Sequence, residues 1–250
     1  MTTVPHPSSG MDLKLMYQDC TLCPRMCHAD RTSKTGFCRC TDEITAARAA
    51  LHFWEEPCIS GSGGSGTVFF SGCTLKCCFC QNYQISQEGF GKKISTEELA
   101  RIFLELQEQG AENISLVTAD QYLPSVVSAL DLVKDRIRVP VVYNCSGYER
   151  LESLQLLSGY IDIFLPDLKY YDTGIAQKYS RAGDYFFYAS RAIPEMIRQT
   201  GIPRFNQQGV LEIGVIVRHM VLPGQKADSI RLLHWMSDHL EKGSFLLSLM

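Results

Sequence analysis

Apolar positions along the chain follow two alternating periods. Thr67–Ser71 (TVFFS) is a short run of β-branched and aromatic residues, which reads as a buried strand. Ser95, with Glu98 three residues on, then opens a stretch in which Leu99, Ile102, Phe103 and Leu106 share one helical face before Gly110. That spacing predicts a capped amphipathic helix. The alternation continues with a strand at 113–118, a helix at about 124–136, a strand at 139–143 and a helix at 149–158. A strand at 161–165, helices within 174–200, a strand at 210–217, a helix at 225–242 and a strand at 244–249 complete it. Six strands joined by five helical connections predict a parallel sheet with right-handed crossovers, the α/β class.

Each strand is followed by polar or unusual residues. Cys73, Cys77, Cys78 and Cys80 follow the first strand, Thr118, Ala119 and Asp120 the second, and Asn144, Cys145, Ser146 and Gly147 the third. Asp167 and Lys169 follow the fourth, and Arg218 and His219 the fifth. The carboxyl ends of parallel strands form the functional face of βα arrays, so these segments are expected at one mouth. Ser60–Gly66 (SGSGGSG) lacks the Lys-Ser or Lys-Thr of a phosphate-binding loop and reads as a flexible lead-in to the first strand.

Composition narrows the function. The 250 residues are 45% hydrophobic and carry a net charge of −3, which fits one globular body with a full core. There is no excess of Lys and Arg to neutralise a run of phosphates, so nucleic acid is not an expected partner. No apolar run reaches the ~18 residues of a membrane span, and residues 1–10 lack the apolar centre of a signal peptide. A soluble, cytoplasmic protein is expected. Cysteine is the exception to this ordinary composition, since ten of the 11 cysteines fall in the first 80 residues. A chain of this length does not need disulfides to fold, so the thiols read as metal ligands.

The cysteines form two groups. Cys73, Cys77 and Cys80 make a C-x3-C-x2-C loop with Phe79 before the last thiol. Three thiolates can hold three irons of a [4Fe–4S] cluster and leave the fourth iron open, whereas zinc fits a lone loop of three less well. Cys78, adjacent to Cys77, reads as a packing residue. The N-terminal group runs C-x2-C-x3-C-x10-C-x-C, with Cys20, Cys23, Cys27 and Cys38 as four ligands and Cys40 as an alternative fourth. Its spacing suits a closed zinc or iron–sulfur site, structural or electron-relaying, in a loop shaped by Pro24 and Gly36. The chain thus divides into a cysteine-rich extension at 1–60 and a core at 61–250.

The C-x3-C-x-aromatic-C loop resembles the signature of the radical S-adenosylmethionine superfamily. Six segments resemble its branch related to pyruvate formate-lyase activating enzyme: CTLCPRMC (20–27), WEEPCISG (54–61), GCTLKCCFCQNYQIS (72–86), VYNCSGYE (142–149), DIFLPDLKY (162–170) and VRHMVLPG (217–224). The resemblance implies a partial (β/α)6 TIM-like barrel and an enzyme that reductively cleaves S-adenosylmethionine to a 5′-deoxyadenosyl radical for hydrogen abstraction. It makes Cys73, Cys77 and Cys80 the cluster ligands and sets Phe79 against the adenine. Asn144 and Ser146 would contact the cofactor's ribose and carboxylate, with Asp167 and Lys169 at the Asp-x-Lys position. Arg218 and His219 would meet the cofactor's carboxylate or the substrate. It also implies a low-potential electron donor such as flavodoxin or ferredoxin, and a glycyl-radical enzyme, another peptide or a small molecule as substrate.

The sequence departs from the family in three places. The Gly-Gly-Glu motif that receives the cofactor's amino group is replaced by Val117-Thr118-Ala119-Asp120-Gln121-Tyr122, where Thr118 or Asp120 is a substitute acceptor. Activating enzymes with auxiliary clusters carry those cysteines after the radical loop, whereas here they precede it. The sixth strand ends at Met250, without the segment and helix that follow in the family, which is expected either to leave one side open to a large substrate such as a protein loop or to mark an incomplete chain. The competing expectation is a non-enzymatic iron–sulfur or zinc protein using both cysteine groups.

Overall fold

The computed structural model describes residues 12–250, so the reading of residues 1–10 as lacking a signal peptide's apolar centre lies outside the described residues. All six predicted strands form. They are β2 (Ser65–Phe70), β4 (Asn113–Val117), β5 (Val141–Cys145), β6 (Ile163–Pro166), β8 (Leu211–His219) and β9 (Leu246–Leu249), all parallel. The connecting helices are α3 (Thr96–Glu108), α4 (Leu123–Val133), α5 (Leu151–Leu156), α6 (Thr173–Ser180), α7 (Tyr185–Thr200) and α8 (Lys226–His239). This is the α/β architecture of a partial barrel. Ser95 caps α3 by accepting from the Glu98 amide at 3.1 Å, and Leu99, Phe103 and Leu106 are buried beneath it, each contributing about 2 kcal/mol by burial.

Three strands were not anticipated. β1 (Thr45–His52) and β3 (Lys92–Lys93) extend the sheet antiparallel beyond β2, and β7 (Arg204–Phe205) pairs antiparallel with β8. The β1 sequence TAARAALH is rich in helix-forming Ala and lacks a two-residue apolar period. Pairing with β2 along its length overrides that propensity, as sheet context commonly does. Two short helices, α1 (Pro57–Ser60) and α2 (Tyr83–Ser86), flank β2. The glycine-rich lead-in is an ordered turn and not a flexible one. The Gly63 amide donates to Glu112 at 3.1 Å, and a Cβ on Gly66 would lie 2.9 Å from that of Ala111.

The period of two along each strand divides the sheet's faces. Val68, Phe70, Ile114, Leu116, Tyr143, Phe164, Val215 and Val217 join the helices in the main core. Val142, Ile163, Leu165 and Ile216 face the inside, where Ile59 of α1 packs among them. The Ile59 carbonyl accepts from Asn113 Nδ2 at 2.6 Å, which fixes the segment between β1 and β2 against the inner face. Continued to the strand ends, the same parity puts Asn144, Asp167 and Arg218 on the inner side. Among the described residues, no helix is long and apolar enough to cross a membrane.

Candidate active site

The cysteine loop leaves β2 at its carboxyl end and is held from two sides. Cys77 Sγ lies 2.9 Å from Ser180 Oγ, and that hydroxyl is 2.6 Å from the Tyr170 hydroxyl. The last turn of α6 also accepts from the loop backbone, Ser180 O from Lys76 N at 3.2 Å and Tyr179 O from Cys78 N at 2.9 Å. On the other side Cys80 Sγ lies 3.2 Å from Ser86 Oγ of α2. Cys73 Sγ accepts from the Leu75 amide at 3.4 Å. Burial pushes the Cys73 and Cys77 thiols up from the ordinary range. Cys78 is exposed, not packed, because its backbone is pinned to α6 and its side chain turns outward. Phe79 is half-buried and rests on the main core.

A charged network crosses the inner face behind this loop. Lys169 Nζ donates to Asp167 Oδ2 at 2.5 Å, and Arg218 Nε to Asp167 Oδ1 at 3.0 Å. Arg218 Nη2 donates to Asn144 Oδ1 at 2.6 Å, and Asn144 Nδ2 to Glu55 Oε2 at 3.1 Å. Burial works against the Asp167 carboxylate, but Arg218 and Lys169 outweigh it and hold its pKa below the usual range. Burial raises Glu55, against the pull of Arg218 and His52. The strand ends are drawn close at Gly147, whose φ is +74° and where a Cβ would fall 2.2 Å from Asp167 O. The Tyr185 hydroxyl, 2.7 Å from Asp167 O and 2.8 Å from Ser146 O, accepts from the Lys169 amide at 3.0 Å.

Not every predicted site residue joins this network. His219 shares the parity of Val215 and Val217 and faces α8, with Nδ1 2.6 Å from Leu168 O and Nε2 2.8 Å from Ser229 Oγ. Ser146 is half-buried, with its Oγ 3.4 Å from the Tyr148 amide. Glu55 was missed, since WEEPCISG carries no spacing that points to a partner some 90 positions away.

The turn after β4, in place of Gly-Gly-Glu, is held by its own side chains. Thr118 has a φ of +56°, a strained conformation for a β-branched residue. Gln121 Nε2 is 2.8 Å from Thr118 O, 3.0 Å from Ser71 O and 3.3 Å from Gly72 O, so one amide ties this turn to the start of the cysteine loop. Asp120 is buried, which raises its carboxyl to about 6, and its Oδ2 has no hydrogen-bond partner. Buried oxygens of this kind are the acceptors an ammonium-bearing ligand needs.

The N-terminal cysteines pack directly against this loop. Cys20, Cys23, Cys38 and Cys40 are buried, Cys27 is half-buried, and all are free thiols. Arg31, fully buried, donates to Cys40 O at 3.1 Å, to Thr41 O at 2.5 Å and to Gln121 O at 2.6 Å, and lies 3.7 Å from Cys20 Sγ. Cys40 Sγ points to Cys38 O at 3.4 Å and Ser71 O at 3.3 Å. Among the described residues, no three Cys, His, Asp or Glu side chains converge closely enough to hold a single metal ion.

Comparison with known proteins bears on this arrangement. An uncharacterized protein of Methanocaldococcus jannaschii, MJ0674, is 30% identical over 227 residues, covering 85% of this chain, and the alignment takes in 61% of that protein's length. SuiB of Streptococcus suis superposes with a TM-score of 0.46 at 13% identity, covering 74% of this chain and 38% of SuiB. Its S-adenosylmethionine-bound structure gives 0.46 at 14% identity, covering 71% of this chain and 38% of SuiB. The radical SAM superfamily matches residues 67–236, from the strand before the cysteine loop to the last long helix. The chain therefore belongs to the radical SAM superfamily, whose chemistry uses an iron–sulfur cluster and S-adenosylmethionine.

Proposed function

We propose that the protein is an enzyme in which Cys73, Cys77 and Cys80 bind a [4Fe–4S] cluster and the inner-face network binds S-adenosylmethionine beside it. The single observation that carries this reading is the exit of the three-thiol loop from β2 at the strand ends where Asn144, Asp167, Lys169 and Arg218 gather. The donor set suits the cluster: three soft thiols on one loop, hydroxyls of Ser180 and Ser86 on two of the sulfurs, and no fourth ligand from that loop. When bound, the cluster and S-adenosylmethionine supply one-electron cleavage of a carbon–sulfur bond and a 5′-deoxyadenosyl radical for hydrogen abstraction.

The chain's own residues bind and orient. Arg218 offers a cation to the cofactor's carboxylate, and Asp167 with Asn144 holds that guanidinium in place. Lys169 neutralises Asp167, so the pair enters the site without a net charge of its own. Next to the strained Thr118 turn, the unpartnered Asp120 Oδ2 is the oxygen for the amino group. Phe79 gives the adenine a half-buried aromatic neighbour. Anaerobic reconstitution, chemical reduction and a search for 5′-deoxyadenosine test the reading. Its formation is expected, and its absence with a reduced, intact cluster overturns the assignment.

The finer reading is that the hydrogen is taken from a glycine of a partner protein, with flavodoxin or ferredoxin as the electron donor. It rests on the six segments similar to activating enzymes. A glycyl-radical doublet in the partner's electron paramagnetic resonance spectrum is the expected signature. Modification of another peptide or a small molecule is the outcome if no candidate partner acquires it.

A further inference from the structure

We propose that Cys20, Cys23, Cys27 and Cys38 hold a second, redox-active iron–sulfur cluster, with Arg25 and Lys76 as its counter-charges and the Cys73 loop as its electron acceptor. Only the acceptor clause rests on the function proposed above. The starting observation is a mismatch of charge and hydrogen bonding. Arg25 Nη2 and Lys76 Nζ are both buried and neither has a hydrogen-bond partner. A buried donor atom of a cation left without an acceptor is costly, and such atoms ordinarily meet an anion or a polar partner. Both cations sit on one aromatic ring, Arg25 at 4.3 Å and Lys76 at 5.3 Å from the centre of Phe37.

These two cations come from opposite sides of the same space. Arg25 lies between Cys23 and Cys27 and reaches across, donating from Nε to Thr74 O at 2.9 Å and from Nη1 to Arg181 O at 2.7 Å. Lys76 belongs to the other loop, between Cys73 and Cys77, and its charge is felt by Cys73, Cys38 and Cys40. An anionic thiolate–metal centre on the N-terminal group supplies an acceptor for Arg25 Nη2 and Lys76 Nζ, the two atoms left unpartnered.

The thiols leave room for such a centre. A Cβ on Gly36 would stand 3.3 Å from Cys27 Sγ and 3.5 Å from Cys38 Sγ, so the glycine keeps the gap between those sulfurs clear. Cys20 and Cys27 are electrostatic neighbours, as are Cys23 with Cys38 and Cys20. Cys38 is taken as the fourth ligand over its neighbour Cys40, whose sulfur meets both Cys38 O and Ser71 O. A centre beside the Cys73 loop that passes electrons must change oxidation state, and zinc has no redox chemistry, so four thiolates in this role fit an iron–sulfur cluster better than a lone zinc.

Position supplies the role. A Cβ on Gly72, next to Cys73, would lie 2.1 Å from Cys40 Sγ and 2.8 Å from Cys38 O, so no side chain separates the two cysteine groups there. One electron enters from a low-potential one-electron donor protein and one leaves toward the Cys73 loop. The N-terminal centre returns to its oxidised state, and no bond or proton is exchanged.

The test uses the full chain carrying Cys73→Ala, Cys77→Ala and Cys80→Ala, reconstituted anaerobically with iron and sulfide. It is expected to keep about four irons and a paramagnetic signal on reduction. Loss of all iron from a protein with native circular dichroism overturns the proposal, as does zinc in place of iron. In the same background Lys76→Met keeps every N-terminal thiol, and loss of its charge is expected to disfavour the reduced cluster about tenfold, a 59 mV fall for one electron. An unchanged potential overturns the counter-charge assignment. Iron retained by the triple variant, with no 5′-deoxyadenosine from the wild type, defeats the proposed function while leaving the second cluster standing.

Discussion

The two cysteine groups are alike on paper and different in their surroundings. Cys20, Cys23 and Cys38 are sunk in the protein beside a fully buried arginine, with cations and an aromatic ring closing the space around them. Cys73, Cys77 and Cys80 stand half-exposed at the strand ends, and two of the three sulfurs meet serine hydroxyls. Buried thiols beside fixed cations suit the proposed centre that only exchanges electrons. A set of three at an open mouth leaves a metal position for something that comes and goes.

That contrast can be broken most directly at the open loop. Cys77→Ala is expected to abolish 5′-deoxyadenosine formation and to lower the iron content by about four per chain, measured by chromatography and iron assay. Equal iron in variant and wild type would erase the distinction between the groups. Arg218→Met comes next. It leaves Asp167 with Lys169 alone and takes the cation from beside the buried Glu55, which is expected to cost about 3–5 kcal/mol in a urea titration and to weaken S-adenosylmethionine binding.

A third prediction concerns the wall between the groups. Asp120 is an electrostatic neighbour of Cys23, Cys38 and Cys73, and burial raises its carboxyl to about 6 from 3.8. The folded state therefore holds this proton more tightly than the unfolded state. Its stability is fully present below the unfolded pKa and is lost as pH rises through about 6. Asp120→Asn is expected to recover about 2–3 kcal/mol at pH 7 and to flatten the profile between pH 4 and 6, as thermal melts across that range will show. The smallest effect belongs to Ser180→Ala, which removes the hydroxyl shared by Cys77 and Tyr170. A loss of about 1 kcal/mol is expected, with a melting-temperature drop of about 2–4 °C.

How far these features were legible depends on the range over which each is encoded. The Ser95 cap, the face of α3 and the six parallel strands are local patterns, and they stand where periodicity puts them. β1 was hidden because Ala and Arg carry no strand signal and its partner β2 supplies the order. Within LEIGVIVRH the two-residue period already separates Arg218 from His219. Ending the predicted strand at 217 concealed this, and both residues were assigned to the mouth. Val141–Cys145 likewise starts two residues later than expected, because Pro140 cannot donate to the ladder, and this carries Asn144 into the strand.

The sequence alone determined the parallel α/β array and the three-thiol loop at the end of its first strand, because hydrophobic period and ligand spacing are written along neighbouring residues. Only the tertiary structure decided that Glu55 reaches Asn144, that Arg25 and Lys76 share the ring of Phe37, and that Gly72 meets Cys40. Those pairings join residues far apart in the chain, and each depends on the sheet order and on the packing of the N-terminal segment. No local propensity encodes such contacts; they exist once the strands have closed.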